Sequence, residues 1–206
     1  MKVLLVNGSP RPKGCTFTAL SEVASELERQ GVEAQIFQLG AQPVAGCIAC
    51  GKCAILGQCF RDDKVNEFLS LASEADGFVF GSPVYFASVA GQLECFLDRV
   101  FYAGGELFTN KPGAVVVSCR RGGASAAFDQ LNKYFGIRNM PVVSSNYWNQ
   151  VHGFTPEDVR QDLEGLATMR QLGRNMAWML KCFEAGKKAG VPLPEAEPTV
   201  RTNFIR

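Results

Sequence analysis

The sequence predicts an α/β fold, a parallel sheet covered by helices on both faces, and three observations carry that expectation. Short apolar runs alternate with amphipathic stretches, strand then helix, five times over. The runs at 3–6 and 114–117 are uninterrupted and rich in β-branched residues, as in strands buried on both sides. The composition is that of an ordinary globular domain, 47% hydrophobic and 20% charged over 206 residues, long enough to bury a core without staples.

The elements follow in order. Residues 3–6 form the first strand, bounded by Asn7-Gly8. After a loop, 17–30 carries Leu20, Val23, Ala24 and Leu27 at helical spacing, with Gly31 as the stop. Residues 33–37 are a shorter, more polar strand, suited to an edge. A loop dense in Gly and Cys spans 40–62. A helix follows over 64–74, with Val65, Phe68, Leu69 and Ala72 inward. Residues 76–83 are a third strand that runs into a loop. Residues 92–102 are a helix burying Leu93, Phe96, Leu97 and Val100. The fourth strand lies within 112–119, and a helix over 124–135 leads to a fifth strand at 140–144. One long helix is expected from 156 to about 188, with Leu163, Leu166, Met169, Leu172, Met176 and Met179 on one stripe. The tail from 191 holds Pro192, Pro194 and Pro198 and is expected to be extended.

Charge and hydropathy exclude several function classes. With 21 basic and 20 acidic residues the net charge is +1, which gives no field for nucleic acid. Apolar runs are only a few residues long, so no membrane span is expected. The first apolar run ends too soon, at Gly8-Ser9-Pro10, for a signal peptide, and a cytoplasmic location is expected. The unusual feature is cysteine: eight in all, four of them between 47 and 59. Clustered thiols in a cytosolic chain point to metal or redox chemistry rather than a disulfide framework.

In an open parallel sheet, ligands sit at the carboxyl ends of the strands. The loop after the first strand has neither G-x-G-x-x-G spacing nor a Walker A lysine, because Cys15 follows Gly14. It offers the hydroxyls of Ser9, Thr16 and Thr18, the cations Arg11 and Lys13, and the N–H groups of the next helix. That set suits a terminal phosphate monoester, and equally a solvated turn with a Thr cap. Pro83, Val84, Tyr85 and Phe86 after the third strand suit a planar ligand, or packing of the two aromatics on the next helix. Arg120, Arg121, Gly122 and Gly123 after the fourth allow close backbone approach, with the arginines serving an anionic group or bridging subunits. Tyr147 and Trp148 suit a cover over a planar ligand or an oligomer contact, and His152 a structural role.

Cys47-x2-Cys50-x2-Cys53-x5-Cys59 lacks the separated knuckles of a zinc ribbon and matches ferredoxin spacing, with Cys59 as a local fourth ligand. Free or oxidatively paired thiols are the other reading. Cys95 and Cys182 fall on apolar helical faces and are expected to be buried.

Asn7-Gly8-Ser9-Pro10-Arg11 and Gly81-Ser82-Pro83-Val84-Tyr85-Phe86, with the cysteine run between them, resemble the flavodoxin-like NAD(P)H-dependent FMN reductases, and within them the iron-sulfur flavoprotein group. The resemblance runs over 2–180. It implies a three-layer fold with a five-stranded parallel sheet in the order 2-1-3-4-5. It also implies an FMN-binding domain over 1–190 with the Cys-rich loop at 46–60, and a tail at 191–206. By position, Ser9, Arg11, Thr16 and Thr18 would hold the FMN phosphate, and Cys15 and Phe17 between them would line the cofactor, Cys15 standing where relatives commonly carry Ser or Asn. Pro83, Val84, Tyr85 and Phe86 would meet the flavin ring, with Arg121, Gly122 and Gly123 as a third wall. The double arginine departs from the small polar residues usual there.

A [4Fe–4S] cluster on Cys47, Cys50, Cys53 and Cys59 is implied in the same way. No protein acid or base is expected, because flavin N5 carries the chemistry. The leading expectation is an oxidoreductase that uses NAD(P)H to reduce flavin, quinone or a similar acceptor. A carrier fed by ferredoxin and a thiol-based redox sensor are the other two readings. A homodimer or homotetramer is expected, with the Met-rich helix and the proline tail as its interface.

Overall fold

The computed structural model describes every residue except 199, 201, 203, 205 and 206. Its elements are β1 (Lys2–Asn7), α1 (Cys15–Arg29), β2 (Glu33–Gln38), α2 (Cys53–Leu56), α3 (Lys64–Ala72), β3 (Gly77–Tyr85), β4 (Ser88–Val89) and α4 (Gly91–Gly104). After a 3-10 turn at Gly105–Leu107 come β5 (Gly113–Cys119), α5 (Ala124–Gly136), β6 (Gln150–His152), α6 (Pro156–Gln161) and α7 (Leu163–Lys188). Five strands run parallel in the order β2-β1-β3-β5-β6, and β4 adds a short antiparallel hairpin on β3. Counting the parallel strands alone, the order is the one expected, with the polar β2 at an edge.

Side-chain alternation along the central strands builds two cores. Leu4, Val6, Phe78, Phe80, Val115 and Val117 face α3, α4 and α5. Val3, Leu5, Val79, Ala114 and Val116 face α1 and α7. The first core is dominated by phenylalanine, with Phe78 and Phe108 rings 4.6 Å apart. The expected helical faces are the buried ones: Leu20, Val23 and Leu27 of α1, and Leu93, Phe96, Leu97 and Val100 of α4, are fully enclosed.

Four expectations are corrected. The fifth strand is not at 140–144. There the chain makes a single bridge, Val142 beside Gly113, and pairs regularly only at Gln150–His152, opposite Val117–Cys119. Four residues are looped out between the two contacts. An edge strand, bonded on one side only, absorbs such an insertion without breaking a second ladder.

The long helix is broken at Asp162, whose carboxylate accepts from Gly165 N at 2.9 Å and His152 N at 2.7 Å, capping α7 and tying it to β6. Leu163 at this break is exposed. Met169 and Met176 are fully buried in the chain's own core, so the Met-rich stripe is not free to form an oligomer interface. Finally, Cys182 is exposed rather than buried, and Cys95 is half-buried. Among the described residues no helix is long and apolar enough to cross a membrane. Residues 191–198, 200, 202 and 204 have no regular secondary structure, and the rest of the expected tail lies outside the described residues.

Candidate functional site

The carboxyl ends of β1, β3 and β5 lie level, with Asn7 beside Gly81 and Pro83 beside Ser118. Three loops therefore meet above the middle of the sheet. Gly8 is held against β3 by its N–H to Gly81 O, 2.9 Å, and a Cβ on it would sit 2.8 Å from that oxygen. The buried Asn7 shapes the first loop. Its Oδ1 accepts from Ser9 N and its Nδ2 donates to Gln38 Oε1, while Gln38 Nε2 donates to Ser9 O. Gln38 was not recognisable from sequence as part of this site, because it comes from the end of a neighbouring strand.

α1 starts at Gly14 with no side-chain cap and no acid in its first turn. Among the described residues the N–H groups of Cys15, Thr16 and Phe17 have no partner. Arg11 and Lys13 stand exposed beside them and take part in no ion pair among the described residues. Uncompensated N–H groups, a helix dipole and two free cations fit a phosphate monoester.

The hydroxyls divide differently from a simple cradle. Ser9 Oγ accepts from Arg11 N, Thr18 Oγ1 donates back to Gly14 O, and Thr16 Oγ1 lies 2.8 Å from Ser118 Oγ, joining α1 to β5. Cys15 Sγ points to Gly153 O at 3.7 Å. Burial pushes the thiols of Cys15 and Cys119 up, so both are neutral at physiological pH and neither adds negative charge beside this anion site.

The platform is a tight hairpin. Tyr85 pairs with Ser88, so Phe86 and Ala87 are the two central turn residues, and both have positive φ, 50° and 60°. Such a turn favours Asn-Gly, and two residues with β-carbons are strained in it. Phe86 is fully exposed and Tyr85 half-exposed. Pro83 and Val84 are half-buried beneath. Gly123, at φ 86°, comes so near that a Cβ on it would lie 2.6 Å from Ala87 Cα. Gly122 faces open space and Arg121 is exposed. Ser9, Arg11 and residues 15–18 thus form one wall, and 83–86 with 121–123 form another, at a single end of the sheet. The strained turn with its exposed ring and the close glycine wall fit a planar cofactor that needs near backbone approach.

The cysteine loop lies on the α4 side. Cys47, Cys50, Cys53 and Cys59 line one pocket, together with Arg99, Tyr102 and Phe60. Among the described residues no three Cys, His, Asp or Glu side chains converge at metal-binding distance. The donors still fit iron-sulfur chemistry: an all-thiol set around one cavity, with Ala49, Gly51 and Gly57 at positive φ turning the loop. Cys59 is buried, Cys47 and Cys50 are exposed, and Cys53 is half-buried. Lys52 and Arg61 both lie over the Phe60 ring, at 5.0 and 5.1 Å, and make the rim cationic.

Arg99 was not singled out by sequence, because one arginine inside a helical pattern reads as a solvated face. It is 2% exposed and donates to Cys59 Sγ, the Asp63 carboxylate and the carbonyls of Ala45 and Arg61. Burial works against its charge, and the bonds to Asp63 and Cys59 outweigh it.

In the looped-out edge segment, the Tyr147 and Trp148 rings lie 5.2 Å apart, tilted by 54°, and both are exposed. His152 lies over Asp162, 3.8 Å from its carboxylate, with Arg120 and Phe154 around a neighbouring pocket.

Known proteins agree with this architecture. The family described as NADPH-dependent FMN reductase matches residues 1–155. An iron-sulfur flavoprotein of Methanocaldococcus jannaschii is 36% identical over 192 residues, covering 89% of this chain and 100% of the relative. One from Archaeoglobus fulgidus is 35% identical over 147 residues, 69% of this chain and 72% of that protein. An archaeal flavodoxin structure superposes with a TM-score of 0.58 at 19% identity, covering 88% of this chain and 99% of that one, which speaks for the fold alone. The chain belongs to the NADPH-dependent FMN reductase family of flavodoxin-like oxidoreductases, close to its iron-sulfur flavoproteins.

Proposed function

We propose that this protein binds FMN across the β1, β3 and β5 loops and uses NADPH or NADH to reduce a small-molecule acceptor, a flavin or quinone, or a redox protein. The observation that carries the proposal is the uncapped start of α1 beside Arg11 and Lys13, which form no ion pair among the described residues, at the same end of the sheet as the strained Phe86-Ala87 turn. Bound FMN would supply hydride acceptance and electron transfer.

This chain's residues would do the rest. The N–H groups of Cys15, Thr16 and Phe17, with Ser9 and Arg11, hold the phosphate, and Thr18 joins them once its hydroxyl turns from Gly14 O. Pro83, Val84, Tyr85 and Phe86 fix one edge of the ring. Gly122 and Gly123 let the opposite backbone close in, and Arg121 offsets charge that builds up on the flavin. The unit that does this is residues 1–190.

Cys47, Cys50, Cys53 and Cys59 hold a [4Fe–4S] cluster in this reading. The names of the iron-sulfur flavoproteins and the shared pocket of the four thiols support it. In this reading the protein works in the cytoplasm, where clustered thiols stay reduced. A homodimer or homotetramer would bring a second copy over the exposed Phe86.

Anaerobic purification followed by flavin, iron and sulfide analysis and steady-state NAD(P)H oxidation tests the reading. One FMN, about four irons and turnover with quinone or FMN is the expected result. Absence of turnover with either nucleotide, alongside fast reduction by ferredoxin, overturns the reductase in favour of a carrier. Flavin without iron removes the cluster and leaves the reductase. Light scattering that gives a monomer overturns the oligomer.

A further inference from the structure

We infer that Arg99 is a positioning residue for the cysteine loop: its buried guanidinium staples both ends of the loop to α4 and sets a fixed positive charge against the Cys59 sulfur. The inference rests on the cluster reading above. It goes beyond the four thiols to a residue that touches only one of them.

The geometry is specific. Arg99 Nε and Nη2 donate to Cys59 Sγ at 3.3 and 3.1 Å. Nη1 and Nη2 donate to the two carboxylate oxygens of Asp63 at 2.7 and 2.9 Å, a bidentate fork. Nη1 also reaches Ala45 O at 3.3 Å, and Nη2 reaches Arg61 O at 3.4 Å. One side chain therefore joins the entry of the loop, its last cysteine and its exit. Asp63 is itself fixed as the cap of α3, accepting from Val65 N, and Asn66 pins the Cys59 backbone through both its N–H and its carbonyl. Cys59 is thus held in place, while Cys47 and Cys50 lie on exposed chain.

A lysine would not substitute, because an ammonium cannot span a sulfur and a carboxylate with parallel donors. A cation buried against a ligand sulfur favours the more negative oxidation state of whatever that sulfur holds. Asp63, on the far side of the same guanidinium, works in the opposite direction.

The test compares R99Q, R99K and D63N with wild type as anaerobically reconstituted full-length holoprotein. D63N keeps an α3 cap, because Asn serves that position as well as Asp. FMN content serves as the check on folding. In R99Q, iron is expected to be held about 10- to 100-fold more weakly, and the midpoint potential of the residual cluster is expected to move negative. R99K should restore the potential toward wild type without restoring iron retention. D63N should move the potential positive. Opposite signs for R99Q and D63N are not produced by mere loosening of the loop. An unchanged potential and unchanged iron retention in R99Q overturn the inference, as does a shift of the same sign in D63N.

Hydrogen exchange of the iron-free proteins separates the two readings. Faster exchange over 45–63 in R99Q supports the staple, and equal exchange overturns it. Wild type that takes up no iron but shows this difference overturns the cluster reading alone.

Discussion

At the scale of single residues, the proposed phosphate site rests on Arg11 and Lys13, two cations that take part in no ion pair among the described residues. Replacing Arg11 with Ala removes one charge-assisted bond, and FMN affinity should fall about tenfold, ~1.4 kcal/mol. Riboflavin, which lacks the phosphate, should bind equally to both proteins. Fluorescence titration with the two ligands checks this, and an equal loss for both would move the phosphate elsewhere. Ala87 occupies a turn position with φ 60° that disfavours a β-carbon. A87G should raise unfolding stability by about 1 kcal/mol, read from urea midpoints. A lower midpoint would mean that the turn is not strained. The residues of these loops were legible as motifs. Their individual bonds were not: the Thr16 hydroxyl is spent on Ser118, over a hundred positions away, and no local pattern announces such a pair.

At the scale of elements, helix contacts carry both stability and pH dependence. Glu26 on α1 is buried. Burial opposes its charge, but Gln30, Arg29 and Arg174 of α7 hydrogen-bond to it and hold its carboxyl below the ordinary range. A carboxyl depressed in the folded state adds stability above its unfolded pKa, near 4.3, and that contribution is lost as pH falls through the lower folded value. Urea midpoints for wild type should therefore fall more steeply than those of E26Q between about pH 5 and pH 3. Parallel curves would show that the α1–α7 contact carries no such charge.

The break between α6 and α7 rests on Asp162. D162A should cost about 1–2 kcal/mol and speed amide exchange at Gly165 and His152. The apolar stripe across 163–180 was readable, but the break was not, because no Pro or Gly marks it. What decides it is an aspartate that caps α7 and also accepts from a strand. The displaced fifth strand has the same origin: residues 140–144 have strand-like composition, but only the parallel partner β5 determines which part of the following chain pairs.

At the scale of the whole molecule, the three loops come from separate elements, and a ligand that binds all of them stabilises the fold by mass action. FMN at a hundred times its dissociation constant should add about 2.7 kcal/mol, a Tm rise of about 5–10 °C for a chain of this size. Scanning fluorimetry with FMN and riboflavin checks it, and riboflavin should give the smaller shift. No shift with FMN would mean that the loops do not form one site.

The sequence by itself determined the layered α/β architecture and the position of the clustered thiols, while the strand order came only through the family that its loop motifs resemble. The first two follow from hydrophobic periodicity and short-range spacing, which are local properties of a chain. Tertiary structure alone decided that Met169 and Met176 belong to the core, that β6 pairs at 150–152, and that Arg99 is buried against Cys59. Each depends on which distant groups meet. A buried charge or an edge strand is stable only where partners separated by tens of residues satisfy its charge or its hydrogen bonds.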